Sequence, residues 1–270
     1  MFPPMERVET LEEFLVHAAK GDKPVVYRLK DEEKQPCHQK WTNEFLEKVR
    51  ISVGIHRATK PSFFNFDHSP VELARSAVLR QTTVGDLVKR RYSQGVGGAW
   101  EMISGTDTHL VLENGPVDRW RSLWDDCKEI ANMVPDRLYR VGFWISCGKQ
   151  GAVSDEELLS SQMHWDVNGH HNLNFQVRGE KSIIMFPPED RAYLYPMPSR
   201  LWHLSRIDPR KHVNLQRYPL YEKAHPVHTI LKEGDVLLIP SGWWHHVTHK
   251  GDVSGACTRQ RKRSKLTSRH

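Results

Sequence analysis

Leu231-Lys232-Glu233-Gly234-Asp235-Val236-Leu237-Leu238-Ile239-Pro240-Ser241-Gly242-Trp243-Trp244-His245-His246-Val247 is the stretch on which the reading of this chain turns. Val236 to Ile239 is an uninterrupted apolar run of strand length, stopped by Pro240, which has no N–H to give to a ladder. Trp244 to Thr248 reads as the next strand. Neighbouring residues of a strand face opposite sides, so only one of His245 and His246 can enter a core built on it. Parity alone does not say which.

Working outward, the same habit of short strands runs back through Leu138 to Cys147, Leu173 to Val177 and Ser182 to Phe186. Arg178-Gly179-Glu180 stands at hairpin distance between the last two, and Pro187-Pro188 stops the second. Short strands in close succession predict a sandwich, jelly roll or barrel. The first half mixes in helices. Thr10-Leu11-Glu12-Glu13 is a capping box opening a helix through about Ala19, with Leu11, Phe14, Leu15 and Ala18 on one face. Pro24 to Leu29 reads as a strand. Further helices are expected from near Thr42, over Thr83 to Arg91 and across residues 117–132, and Ser154-Asp155-Glu156-Glu157 is another capping box. The expectation is a mainly β fold with peripheral helices in one domain over residues 1–257. Its helix-rich part spans about 1–135 and its β core about 136–257, with a basic, disordered tail over 258–270.

That tail accounts for the charge. The net charge of +6 would suggest a polyanion partner, but six basic residues lie between Thr258 and His270 with no acidic one. The other 33 basic residues balance 33 acidic ones, so the body is neutral and carries no nucleic-acid signature of its own. The nine Trp are scattered from Trp41 to Trp244, as in one extended core. Cys37, Cys127, Cys147 and Cys257 are far apart and form no C-x-x-C pair, which fits thiols in a reducing compartment. No apolar run approaches the roughly 18–20 residues of a membrane span, and the first residues lack a signal-peptide stretch. A soluble protein of the cytoplasm, the nucleus or both is expected, without a membrane partner; nothing in the sequence fixes its oligomeric state.

The chemistry starts at His164-Trp165-Asp166. In a strand, residues two apart share a face, so an imidazole and a carboxylate would point together with the Trp turned away. With one distant histidine they would complete a 2-His-1-carboxylate set, which binds one face of an octahedral metal and leaves the other open. The tripeptide by itself is weak evidence, because it arises often by chance.

In order along the chain stand His164-Trp165-Asp166, then Lys181 after a short strand and turn, then Phe186-Pro187-Pro188, then Leu231 through His245 as L-x-x-G-D-x-L-x-I-P-x-x-W-W-H. This series, running from about Pro24 to Val247, resembles the JmjC-type, cupin-like oxygenases and most closely their small, factor-inhibiting-HIF-like hydroxylase branch. The resemblance implies a double-stranded β-helix, the jelly roll of cupins. It implies an enzyme that uses Fe(II) and 2-oxoglutarate, with His164, Asp166 and His245 as iron ligands. The W-W-H pattern selects His245 and leaves His246 outside the ligand set. By the same resemblance Lys181 grips the distal carboxylate of 2-oxoglutarate, Ser161 stands where relatives place a Thr donating to that carboxylate, and Asn172 matches a polar residue lining the cosubstrate site. Trp100 is at most a loose match to an aromatic there. His170 and His171, after the Asn168-Gly169 turn signal, read as loop or strand-edge residues.

The resemblance implies hydroxylation of a polypeptide side chain, with a tRNA-base hydroxylase or a histone or protein demethylase as alternatives within the superfamily. The loop from Tyr195 to Tyr221, with Arg200, Trp202, His203 and Tyr218, is the expected place of partner recognition. The departure comes after the last ligand. Gly251 to Ala256 begins as the relatives' closing strand would, but Cys257-Thr258-Arg259-Gln260-Arg261-Lys262 keeps no apolar alternation, and the strand is expected to break there. An incompletely closed core would fit a catalytically silent cupin scaffold. A cupin isomerase or hydrolase holding zinc or manganese is a further alternative, which would have no use for Lys181.

Overall fold

A computed structural model describes residues 2–58, 78–93, 100–103, 109–112, 115–116, 121–127, 138–147, 160–167, 169–198 and 201–262. Twelve strands of these residues join in one curled, mixed sheet. They are β1 (Glu6–Val8), β2 (Val25–Arg28), β3 (Ser52–Ala58), β4 (Val78–Thr83), β5 (Trp100–Ile103), β6 (His109–Leu112), β7 (Gly115–Pro116), β8 (Leu138–Cys147), β9 (His170–Phe186), β10 (Val227–Leu231), β11 (Asp235–Ile239) and β12 (Trp244–Lys262). The main path runs β1-β2-β11-β9-β12-β8-β5-β3-β4, with β10 on β9 and the pair β6–β7 on β8. This is the curled half-barrel of a cupin jelly roll, as the sequence implies.

β9 is the spine. Its first half pairs with β11 (Phe175↔Val236, Asn172↔Ile239), its second half with β10 (Lys181↔Leu231, Met185↔Val227), and β12 follows its other edge. The expected hairpin at Arg178-Gly179-Glu180 is therefore not a hairpin. Gly179 takes φ 71°, and the chain stays in the strand while the register with β12 jumps between Lys250 and Gly255. A left-handed glycine at a bulge bends a strand as readily as it reverses one.

The bend also exchanges the two faces of β9. Before it, Leu173, Phe175 and Val177 join Val236 and Leu238 in an outward core. That core is roofed by helix α1 (Leu11–Lys20) through Phe14 and Ala18, by Trp41 and Leu46, and by helix α4 (Val84–Ser93) through Val84, Leu87 and Val88. Between these helices lie the short α2 (Pro36–Lys40) and α3 (Asn43–Leu46). After the bend, Ile183 and Met185 turn inward to meet Val26, Leu231, Leu237 and Ile239 in the barrel interior. Ile184 and Phe186 now face out, and pack with Trp244 beneath the loop that carries Leu194 and Ile207.

The local signals hold where they can be compared. Thr10 Oγ1 accepts from the Glu13 N–H at 3.1 Å, Gly21 closes α1 at φ 61°, and Thr83 Oγ1 accepts from the Asp86 N–H at 3.1 Å as α4 opens. Of the helix expected across 117–132, α5 (Arg121–Trp124) lies within the described residues; the capping box at Ser154 lies outside them. Among the described residues of the first half, strands β1 through β7 stand beside the helices. Cys37 and Cys127 are buried thiols, and burial pushes the Cys37 thiol well above its ordinary range.

The largest correction concerns the end of the chain. The strand expected to break at Cys257 runs to Lys262, so residues 258–262 are strand rather than tail. It pairs with β9 on one side (Lys262↔His170) and with β8 on the other (Val253↔Cys147 to Arg261↔Leu138). A strand bonded along both edges is specified by its backbone groups, and polar side chains do not prevent it.

One motif residue serves the fold. Asp235 is wholly buried and binds Arg28 at 2.9 Å, Arg7 at 3.2 Å and the Lys232 N–H at 2.8 Å. Its carboxylate thus ties β1 and β2 to the turn before β11, where Gly234 holds φ 87°.

Candidate metal centre

The segment Ser160–Val167 lies against the start of β12. The His164 N–H donates to the His245 carbonyl at 3.0 Å and the His245 N–H to the His164 carbonyl at 2.7 Å, making them directly opposed residues of an antiparallel bridge. Opposed residues share a face, and the two imidazoles stand 4.2 Å apart between centroids. Cross-strand register then decides between the tandem histidines. His245 is opposite Met185 and so faces the interior; His246 is opposite Ile184 and so faces out. His246 is buried beside Asp208 and Arg210, with neither ring nitrogen hydrogen-bonded to a described residue, and burial pushes it down to about 3.

His164, Asp166 and His245 come together with one potential ligand atom from each within 4.8 Å of the others, the one such cluster of three or more among the described residues. The hydrogen bonds fix which atoms are offered. His164 Nδ1 lies 2.7 Å from the Gln162 carbonyl and His245 Nδ1 lies 3.2 Å from the Trp243 carbonyl. A carbonyl only accepts, so both Nδ1 atoms carry the proton and both Nε2 atoms present a lone pair. Desolvation, aided by the neighbouring His245, pushes His164 down to about 4, and it stays neutral at physiological pH. Two imidazoles and one carboxylate within chelating distance fit a divalent metal of the non-haem iron type.

The other expected site residues are distributed around this cluster. Asn172 stands on the interior face of β9, and its Nδ2 donates to Asp166 Oδ2 at 3.4 Å. Its contact in the structure is therefore to the metal-facing carboxylate. The Oδ1 atoms of Asn172 and of Asn174, next on the same face, are buried with no hydrogen-bond partner among the described residues. Ser161 lies against β12, donates its N–H to the Val247 carbonyl at 2.8 Å and accepts the Val247 N–H on its hydroxyl at 3.1 Å. Its oxygen is engaged in the ladder, leaving the hydroxyl proton to donate elsewhere. The side chains of Trp100 and Arg200 lie outside what the structure describes.

Lys181 is a buried amine on the interior face. Only 2% exposed, it points into the barrel on the same face as Ile183 and Met185, and no described residue pairs with it. Burial alone pushes its amine down to about 7. Directly opposite on β12 stands His249, 5% exposed and also on the interior face. Burial, and secondarily Lys181 itself, holds that imidazole well below the ordinary histidine range. The sequence reading passed over His249; the signal available was its even spacing from His245, which keeps it on the same face for two further strand repeats.

His203 is the second residue whose place emerges only from the fold. Burial lowers it and His164 lowers it further, while Asp166 acts in the opposite sense, so the imidazole lies within the field of the triad. Its carbonyl accepts the Trp165 N–H at 3.1 Å. His164 forms an isolated bridge rather than part of the expected strand, and Trp165 packs with the outer apolar cluster, edge-on against Trp202 at 4.7 Å. Of the two places expected for them, loop or strand edge, His170 and His171 take the second, as buried first residues of β9. His171 Nδ1 accepts the Ser241 N–H at 3.0 Å, and its ring lies so close to Gly21 that a β-carbon there would sit 2.1 Å from it. A cavity of about 630 Å³ is lined by Trp165, Val167, Trp243, Asp22 and Glu189 among others, with none of the three cluster residues in its wall.

Comparison with known proteins bears on the fold. The cupin-like domain family model matches residues 11–259. The human tRNA wybutosine-synthesizing protein 5 is 27% identical over 90% of this chain and 73% of its own length. The Drosophila melanogaster Jumonji C domain-containing protein 5 is 30% identical over 61% of this chain and 38% of its own. The Rattus norvegicus HSPB1-associated protein 1 is 41% identical over 45% of this chain and 28% of its own. Among the described residues no helix is long and apolar enough to cross a membrane. With a curled jelly-roll sheet and a family match over nearly its whole length, the chain belongs to the cupin-like, JmjC-type domain family.

Proposed function

We propose that the protein is an Fe(II)- and 2-oxoglutarate-dependent dioxygenase that hydroxylates its prime substrate. The observation that carries this reading is Lys181, a buried amine without a described partner, set on the interior face that also bears His245. A barrel that encloses an unpaired cation-forming group beside a metal-binding cluster is suited to a ligand that is both chelating and anionic at its far end. A cupin isomerase, a hydrolase or a silent scaffold has no use for such a lysine. The strand expected to break is also paired along both edges, which removes the incomplete core on which the scaffold alternative rested.

His164, Asp166 and His245 would hold the iron, and the iron would supply the redox chemistry that couples oxidative decarboxylation of 2-oxoglutarate to insertion of one oxygen atom into a C–H bond. The chain's own residues do the rest. The Gln162 and Trp243 carbonyls lock the imidazole tautomers, and Asn172 Nδ2 restrains the Asp166 carboxylate. Lys181 anchors the distal carboxylate, and the apolar lining of Ile183, Met185, Leu231 and Leu237 excludes bulk water.

The prime substrate is read as a polypeptide side chain. A second reading, a tRNA base, is favoured by one observation: the relatives matched over 90% of this chain are tRNA wybutosine-synthesizing proteins. The test is anaerobic loading with Fe(II), then exposure to oxygen with 2-oxoglutarate alone, with peptide libraries and with total tRNA. The expected result is succinate formation, and a mass gain of one oxygen on one of the two polymer pools identifies the substrate class. No succinate under any of the three conditions overturns the dioxygenase reading.

A further inference from the structure

The barrel interior below the metal-binding cluster holds an ionisable pair that the metal ligation does not use. Lys181 of β9 and His249 of β12 are directly opposed, buried to 2% and 5% exposure, and share one face. On the other side the residue in register with Lys181 is Leu231 of β10, and on its own strand the next residue of this face is Ile183. Val247 is the neighbour on β12. Adjacent charges lie elsewhere: Glu180, opposite Lys250, pairs with Lys232 at 3.9 Å at the surface. Lys181 therefore faces one imidazole and a wall of hydrocarbon, with no carboxylate among the described residues to neutralise an ammonium. His246 acts on His249 from the opposite face of β12 and in the same sense as Lys181, disfavouring a second positive charge.

We propose that Lys181 and His249 form a single anion-anchoring pair, and that a dicarboxylate entering it brings one proton in from solvent. This rests on the dioxygenase reading for the identity of the dicarboxylate, and deepens it by assigning His249 and the proton. An enclosed ammonium without a counter-ion is strongly disfavoured, so the empty pair holds a neutral amine and a neutral imidazole near and above neutral pH. A carboxylate arriving within hydrogen-bond reach reverses the balance at Lys181, whose amine takes a proton and becomes the ammonium of a buried ion pair. His249 stays neutral, because the new ammonium opposes a second charge. Its role is to present a fixed polar edge to the same carboxylate.

The test uses the full chain loaded with Mn(II), titrated calorimetrically with 2-oxoglutarate at about pH 8.5 in buffers of different ionisation enthalpy. At that pH an amine titrating near 7 is almost wholly deprotonated. The heats should differ between buffers by an amount equivalent to about one proton taken up per ligand. Affinity should fall about tenfold per pH unit above neutrality, since each lost unit must be supplied from solvent. Pyruvate, which lacks the distal carboxylate, should bind without proton uptake. In Lys181→Arg the guanidinium is charged at every pH used, so any binding should be free of uptake and independent of pH. His249→Leu should weaken 2-oxoglutarate at least tenfold while leaving pyruvate unchanged, and His249→Gln should restore most of the loss.

Binding of 2-oxoglutarate to the unmodified protein with no buffer-dependent heat overturns the proposal and leaves the dioxygenase reading standing. So does uptake that persists in Lys181→Arg. Unaltered affinity in His249→Leu removes His249 from the pair. Failure of the Mn(II)-loaded protein to bind 2-oxoglutarate at all overturns both readings together. The wild-type titration decides the proton question even if a variant does not fold.

Discussion

Replacing Lys181 with methionine should make the empty protein more stable while abolishing its use of 2-oxoglutarate. In the unfolded chain the amine has its ordinary value of 10.5; in the folded, empty barrel burial pulls it to about 7. The unfolded state thus binds more protons between those two values, and folding carries a penalty that is full below about pH 7 and vanishes as pH rises past 10.5. At about 1.4 kcal/mol per unit, the ceiling is about 4.6 kcal/mol at pH 6.5, shrinking to about 1.4 kcal/mol at pH 9.5. Water penetration and local relaxation reduce it, so about 2–4 kcal/mol is expected at the lower pH. Methionine fills similar volume among Leu231, Ile183 and Val247 and removes the titrating group. For a chain of this length that is about 4–8 °C in Tm. Thermal unfolding of metal-free wild type and Lys181→Met at pH near 6.5 and near 9.5 gives the two increments, and succinate release gives the lost activity. An increment of zero or opposite sign at the lower pH refutes the reasoning, as does one that fails to shrink at the higher pH. Either result would mean that Lys181 is paired or solvated in the empty barrel.

The remaining expectations follow from single contacts. His164→Ala or Asp166→Ala should abolish iron uptake, measured by metal analysis after gel filtration, and with it succinate formation. Asn172→Ala removes the donor to Asp166 Oδ2 and should weaken metal binding about 10–100-fold, with the melting temperature of the metal-free protein nearly unchanged. Asp235→Ala deletes the buried anchor of Arg7 and Arg28 and should cost about 2–3 kcal/mol in urea unfolding; the two arginines are themselves half-exposed, which keeps the loss below that of a fully buried pair. Gly21→Ala should destabilise by about 1–3 kcal/mol, because φ 61° and the His171 ring both oppose a β-carbon.

What could be read in the sequence was whatever local chemistry determines. The capping box at Thr10, the helix start at Thr83 and the stops at Pro187 and Pro240 all concern groups close together along the chain, and the structure has them as expected. The triad could be named from the order of its motifs, yet the choice of His245 over His246 rested on resemblance alone until cross-strand register set Met185 against one and Ile184 against the other. Long-range pairing is where the reading failed. Gly179 signals positive φ, and positive φ is equally at home in a two-residue turn and in a bulge; only the partners on β10, β11 and β12 select the bulge. Cys257 to Lys262 lacks alternation because its regularity is imposed by β8 and β9 rather than by its own side chains.

The same cause accounts for the unnoticed His249. Its meaning lies entirely in what stands opposite, and Lys181 is 68 positions away in the chain but adjacent in the sheet. Because β9 exchanges faces at Gly179, the polar side chains of Asn172 and Asn174 before the bend and of Lys181 after it all enter one interior. A straight strand of the same sequence would place Lys181 on the opposite side from Asn172 and Asn174, since an odd number of residues separates them. The bulge therefore does more than bend the sheet: it brings Asn172, which restrains the Asp166 carboxylate, and the buried Lys181 onto one surface. Deleting Gly179 would make both separations even, so a regular strand would keep Lys181 on the interior face while the bend itself is lost.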